Sequence, residues 1–166
     1  MAIRKILREG DEALKKVCKK QEKFDLRLAL LLKDMADTMY KAEGVGLAAP
    51  QVGILRRVVV IDVGDGIVEM INPEIISREG EQTGREGCLS LPGQQGVVTR
   101  PMKVTFRAYD RKGNLFEQEA EGFFARAVCH ELDHLDGIVY KQVASRMLTD
   151  EEIEGHIPED DLEENQ

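Results

Sequence analysis

His130 and His134 frame the stretch His130-Glu131-Leu132-Asp133-His134 and are two of only three histidines in the 166-residue chain. Positions four apart lie about 40° apart around a helix, so both imidazoles can reach one ion. Glu131 falls about 60° from His134, beside that face, where a base for an ion-activated water belongs. The plainer alternative is a pair of surface histidines on an amphipathic helix. Ligand spacing for two of three histidines, in a segment bounded by Gly122 and Gly137, weighs against it.

Two histidines leave a zinc-type catalytic site one protein ligand short. The metzincin pattern H-E-x-x-H-x-x-G-x-x-H is matched as far as Gly137, but Tyr140 stands at its third His. A downstream carboxylate, from Glu151, Glu152 or Glu154, could complete the set, although little apolar sequence surrounds those residues. Cys88 is the other candidate, in Glu86-Gly87-Cys88-Leu89-Ser90-Leu91-Pro92, where a glycine and a turn-forming proline bracket a thiolate, a strong ligand for borderline-soft ions. A lone cysteine is more often a small buried hydrophobe, so spacing alone leaves both routes open. Cys129 points about 100° away from His130 and reads as core, and Cys18, in a Lys-rich stretch, reads as a surface or half-buried thiol.

The elements that must hold these groups suggest α+β architecture. Asp25 is a good N-cap for a long N-terminal helix reaching Ala42, with Leu28, Leu31, Leu32, Met35 and Met39 on one face and Gly44 as its stop. Residues 57–63 read as a buried β-branched strand, 67–72 as a second strand ended by Pro73, and 103–109 as an alternating strand. The last turns through Arg111-Lys112-Gly113-Asn114 into 115–121. A second, metal-binding helix occupies 123–136, and residues 138–144 read as a closing strand. Clustered strands with flanking helices argue mostly antiparallel β-sheets around the central metal-binding helix.

An apolar share of 42% and a charged share of 33% describe an ordinary globular chain, long enough to bury a core without disulfides. Nothing in it resembles a transmembrane span, and Met1 to Lys5 lack the apolar core of a secretory signal. Three cysteines without CxxC spacing suit a reducing compartment, so a cytoplasmic location is expected. The net charge of −8 is concentrated at one end: residues 149–166 hold nine acids and no Lys or Arg, leaving +1 for the rest. The organisation expected is one catalytic domain over 1–148 and a mobile acidic tail over 149–166, with one short turn capped by Thr149 and Glu152. The basic lead, Arg4 to Lys23, is read as solvated surface and not as a specific nucleic-acid site.

Three segments in register resemble the peptide deformylase family: Gly44-Val45-Gly46-Leu47-Ala48-Ala49-Pro50-Gln51, Glu86-Gly87-Cys88-Leu89-Ser90, and His130-Glu131-Leu132-Asp133-His134-Leu135-Asp136-Gly137. The likeness runs from the N-terminus to about Ala144. It departs at Cys129, where the family has Gln, and in a C-terminal helix shortened here into the acidic tail. The resemblance implies a metal-dependent hydrolase that removes the formyl group from N-terminal formyl-methionine. One divalent ion is then held by Cys88, His130 and His134: Fe²⁺ in the cell, replaceable by Zn²⁺, Ni²⁺ or Co²⁺. Glu131 is implied as the general base, and the Gln51 amide and Leu89 backbone N–H as oxyanion donors. Val45 and Gly46 would pair with an extended formyl-Met peptide, presented at the ribosome, as an added strand. Phe123, Ala127 and the stem of Arg126 would line the methionine pocket, and Asp133 would pair with Arg100. No membrane partner is implied, and the oligomeric state is not set. Two rivals remain: a general metallopeptidase, and a closed structural zinc module of Cys88, Cys129, His130 and His134.

Overall fold

The computed structural model describes residues 2–155. Helix α1 (Leu26–Lys41) begins where the Asp25 carboxylate accepts the Leu28 N–H at 3.1 Å, and it buries Leu28, Leu31, Leu32, Met35 and Met39. Each such fully buried side chain contributes roughly 1.5–3 kcal/mol of apolar transfer. Gly44 helps to end the helix, its N–H bonding Met39 O at 3.0 Å, although the left-handed position falls one residue earlier. Ala42 caps the last turn and Glu43 takes the left-handed conformation at φ 58°. Gly44 is required for another reason: a Cβ there would lie 2.6 Å from Leu89 Cδ1.

Strands β1 (Gly46–Ala48), β2 (Val58–Ile61), β3 (Val68–Glu79), β6 (Lys103–Tyr109) and β7 (Leu115–Glu121) form an antiparallel sheet in the order β1-β2-β3-β6-β7. A smaller antiparallel sheet joins β4 (Gln82–Cys88), β5 (Leu91–Arg100) and β8 (Arg146–Met147). The β-branched run of β2 is explained by burial on both faces: Val58 and Val60 join the cluster under α1, Val59 and Ile61 the one under α2 (Phe123–Leu135). Helix α2 therefore lies between the sheets. Ala125, Val128, Leu132 and Leu135 pack on the larger one, while Arg126 and His130 reach β5 and β4. The architecture is α+β with antiparallel sheets.

Several local expectations need correction. Pro73 does not end its strand, because β3 continues to Glu79 through a register shift between Ile71 and Glu74. Asn72 adopts φ 52° there, tied by its side chain to the Gln21 backbone, and a proline without an N–H is tolerated at such a bulge. Residues 138–144 are not a strand. Tyr140–Gln142 make a short 3-10 helix, and the strand added to the small sheet is β8. Strands β4 and β5 went unforeseen because their glycine-rich, polar sequences lack the apolar alternation that marks a strand. Cys18 is buried at 5% exposure, with its N–H bonded to Leu135 O at 2.8 Å.

After β8, Thr149 and Glu152 form a capping box that starts α3 (Asp150–Glu154), and Ile153 packs against Val97 and Leu148. The mobile chain expected after this turn lies, from residue 156 on, outside the described residues. Among the described residues no helix is long and apolar enough to cross a membrane.

Candidate metal centre

His130 and His134 lie one turn apart on α2, with ring centroids 5.1 Å apart and ring planes at 73°. Cys88 meets them from the end of β4, where a register shift between Glu86 and Cys88 turns the strand. Its Sγ is 3.3 Å from His134 Nε2. Cys88, His130 and His134 each offer one ligand atom, and all three atoms lie within 4.8 Å of one another. Among the described residues this is the one such cluster.

The surroundings prepare those donors. His130 Nδ1 lies 2.6 Å from Glu86 Oε1, and a proton shared there leaves Nε2 free as an electron-pair donor. Tyr140 stacks on the same imidazole at 5.9 Å and 25°. Burial pulls the charged form of His130 down, but Glu131, the Cys88 sulfur and Glu86 outweigh it, so its pKa rises well above the ordinary value. The charge environment that favours an imidazolium also favours a divalent cation, which would compete for that nitrogen. His134 is driven the other way, to about 3, by burial and then by His130, and is neutral as a ligand must be. Three borderline-soft donors converging in a buried cluster fit a Zn²⁺- or Fe²⁺-class ion.

Glu131 stands beside the cluster at 5% exposure, and its Oε1 has no hydrogen-bond partner. Burial raises its pKa to about 7, with the His130 charge partly opposing the rise. Oε2 packs against Gly46, where a Cβ would lie 2.5 Å from it, so only glycine admits the base at this position. Gln51, in the 3-10 helix Ala49–Val52, accepts the Ala48 N–H at Oε1 (2.9 Å). That bond fixes which end of the amide faces the cluster: Nε2 points to Ser90 Oγ (3.1 Å) and Cys88 Sγ (3.5 Å).

Leu89, next to Cys88, is half-buried and its side chain fills the space above Gly44. Val45 is exposed, and its carbonyl accepts the Asp62 N–H at 2.8 Å. β1, which begins at Gly46, pairs with β2 on one side only and so presents an edge. Phe123 is 56% exposed at the start of α2, and Ala127 is buried one turn along. The Arg126 guanidinium is turned away into an ion pair with Glu86, leaving its stem to any pocket. Arg100 Nη1 bonds Asp133 at 2.7 Å.

Other candidate ligands fall away. Glu152 is held by both Nη atoms of Arg146 at 2.9 Å, and neither Glu151 nor Glu154 joins the cluster. Cys129 faces the apolar core, where burial raises its thiol pKa, so a closed four-ligand module lacks its fourth donor. Sequence reasoning passed over Glu86 and Tyr140 as functional groups. A signal existed for Glu86, since residues 86 and 88 share one face of a strand. For Tyr140 the signal was its place at the third-His position of the metzincin pattern, while its stacking on His130 depends on the turn after α2.

A profile described as Polypeptide deformylase matches residues 3–149 of the chain. A peptide deformylase of Caldicellulosiruptor bescii is 58% identical over 154 residues, 93% of each chain. Among solved structures, a peptide deformylase from Legionella pneumophila superposes with TM-score 0.84 at 48% identity, covering 87% of each chain. One from Synechococcus elongatus, in complex with actinonin, superposes with TM-score 0.83 at 37% identity, covering 85% of this chain and 78% of that one.

Proposed function

The chain belongs to the polypeptide deformylase family, and from that premise we propose that Cys88, His130 and His134 hold its metal while Glu131 moves the proton. The activity is metal-dependent hydrolysis of the N-terminal formyl group from formyl-methionyl polypeptides, with release of formate. A divalent ion in the cluster would lower the pKa of water and polarise the formyl oxygen. We assign Fe²⁺ in the cell, with Zn²⁺, Ni²⁺ and Co²⁺ able to replace it, because thiolate and imidazole suit all four.

Glu131 takes a proton from the attacking water at its partnerless Oε1 and returns it to the departing amine. Burial raises the Glu131 pKa above the ordinary carboxylate range, which favours a carboxylate that both accepts and returns a proton. The Gln51 Nε2–H and the Leu89 backbone N–H donate to the oxyanion that develops on the formyl group. Val45 and Gly46 orient the peptide along the β1 edge as an added strand, and Phe123, Ala127 and the Arg126 stem wall the methionine side chain. The substrate is drawn from nascent chains presented at the ribosome. Residues 1–148 are the catalytic unit; residues 149–166 take no part in the chemistry, and specific nucleic-acid binding is not part of the function.

The observation that carries this reading is the convergence of one sulfur and two imidazoles beside a buried carboxylate with a free oxygen. Anaerobic purification with metal analysis, followed by assay on formyl-Met peptides and on internally cleavable peptides, tests it. About one metal per chain and formate release from formyl-Met peptides alone are expected. Cleavage of internal bonds would instead support a general metallopeptidase.

A further inference from the structure

We propose that Arg126 is a positioning residue for His130, acting through the carboxylate of Glu86. The inference rests on the reading of Cys88, His130 and His134 as metal ligands. Arg126 lies one turn before His130 on the same face of α2. Its Nη1 donates to Glu86 Oε2 at 2.8 Å and to Val98 O on β5 at 3.0 Å. Arg100 bonds the same carboxylate through Nη2 (2.7 Å, to Oε1) and Nε (3.2 Å, to Oε2), and His130 Nδ1 sits 2.6 Å from Oε1. Glu86, Arg100, Arg126 and His130 are each only 6% exposed.

A carboxylate offers about four acceptor directions, and here all four are engaged. Arg100 alone would neutralise Glu86, but a single guanidinium leaves the carboxylate free to pivot about that fork. Arg126 closes the remaining direction and ties Glu86 to the Val98 carbonyl, so α2 and β5 clamp the group between them. With Glu86 held, the His130 ring keeps one orientation and one tautomer, with Nε2 aimed at the cluster. A purely apolar wall for a methionine pocket would not place a guanidinium in the interior, where a charge is costly unless paired. Four charges close the account: Arg100 and Arg126 against Glu86 and Asp133.

The test is Arg126→Met, which keeps most of the stem and removes the donors. Metal affinity is read by chelator competition, and ligand geometry by the absorption bands of the cobalt-substituted protein. The melting temperature of the metal-free chain reports folding separately. Metal binding about 10–100-fold weaker is expected, with shifted cobalt bands, because partners of metal-ligating histidines act on that scale. Arg126→Lys should fall between Met and wild type, since the lysine ammonium carries the charge but stops one bond short of the Nη1 position that reaches both Glu86 and Val98 O; if the Met variant does not fold, the Lys variant carries the same readout. Wild-type affinity and unchanged bands in the folded variant overturn the proposal. His130→Ala separates the two layers of argument. Retention of the metal in that variant would overturn the ligand assignment itself, whereas its loss alongside a wild-type-like Arg126→Met defeats only the positioning role.

Discussion

Glu86 and Glu152 both carry pKa values of about 2, and both face an arginine fork, yet they arrive there by opposite routes. For Glu86, burial pushes the value up, and the His130 and Arg100 hydrogen bonds must overcome that before they lower it. For Glu152, the Arg146 hydrogen bond and the Thr149 backbone lower it with little desolvation to oppose them. A surface pair of this kind is screened and contributes little to folding. A buried carboxylate has no water to fall back on, so loss of its partners, or its loss from them, leaves uncompensated charge in the interior. The same depressed value therefore marks a supporting element of the candidate site in one region and a helix cap in the other.

The interior half of this contrast is tested most severely at Glu131, which shares the buried cluster but has an unengaged oxygen. Glu131→Ala should keep stoichiometric metal and lose ~10²–10⁴-fold in kcat, the scale of a general base. Near-wild-type turnover by the metal-loaded variant would remove Glu131 from that role.

Glu86→Ala comes next. It strands Arg100 and Arg126 without their common anion and should cost about 3–5 kcal/mol, measured by urea unfolding of the metal-free chain. A cost within the scatter of surface substitutions would erase the distinction between the two glutamates. pH sharpens the same point. Each folded pKa lies below the ordinary 4.5, so each carboxylate's stabilisation is fully present above 4.5 and is lost as pH falls toward about 2. Glu86→Gln should visibly flatten the stability profile in that window; Glu152→Gln should act in the same direction but less, because solvent screens its surface pair with Arg146.

A spectroscopic difference separates the two buried-side cysteines. In cobalt-substituted protein, sulfur-to-metal charge transfer should vanish in Cys88→Ser and survive in Cys129→Ser. The reverse pattern would move the third ligand to the other side of α2. The smallest effect is expected from deletion after Leu148, which should leave bound metal and turnover of short formyl-peptides nearly unchanged. Loss of the metal in that truncation would return Glu151, Glu152 and Glu154 to contention.

Local rules made much of this molecule legible before any fold was known. The His130–His134 pair was readable because a helix repeats every 3.6 residues, and α1 because Asp25 caps a leucine- and methionine-rich face. The β6–β7 hairpin was readable from strict alternation and a Gly113 turn. Spacing did not settle the third ligand. Cys88 and His134 are 46 positions apart, and only the packing of β4 against α2 brings sulfur and imidazole within 3.3 Å.

Antiparallel α+β architecture, the two histidines on one face of a helix and the carboxylate beside them were thus determined by the sequence itself, because periodicity and capping act over a few residues. Tertiary structure alone decided that Pro73 sits in a bulge, that Tyr140 turns inward to stack on His130, and that Arg126 spends its charge on Glu86. Each of those outcomes depends on groups far apart along the chain, whose meeting is set by which surfaces are buried together and which polar atoms must then find partners.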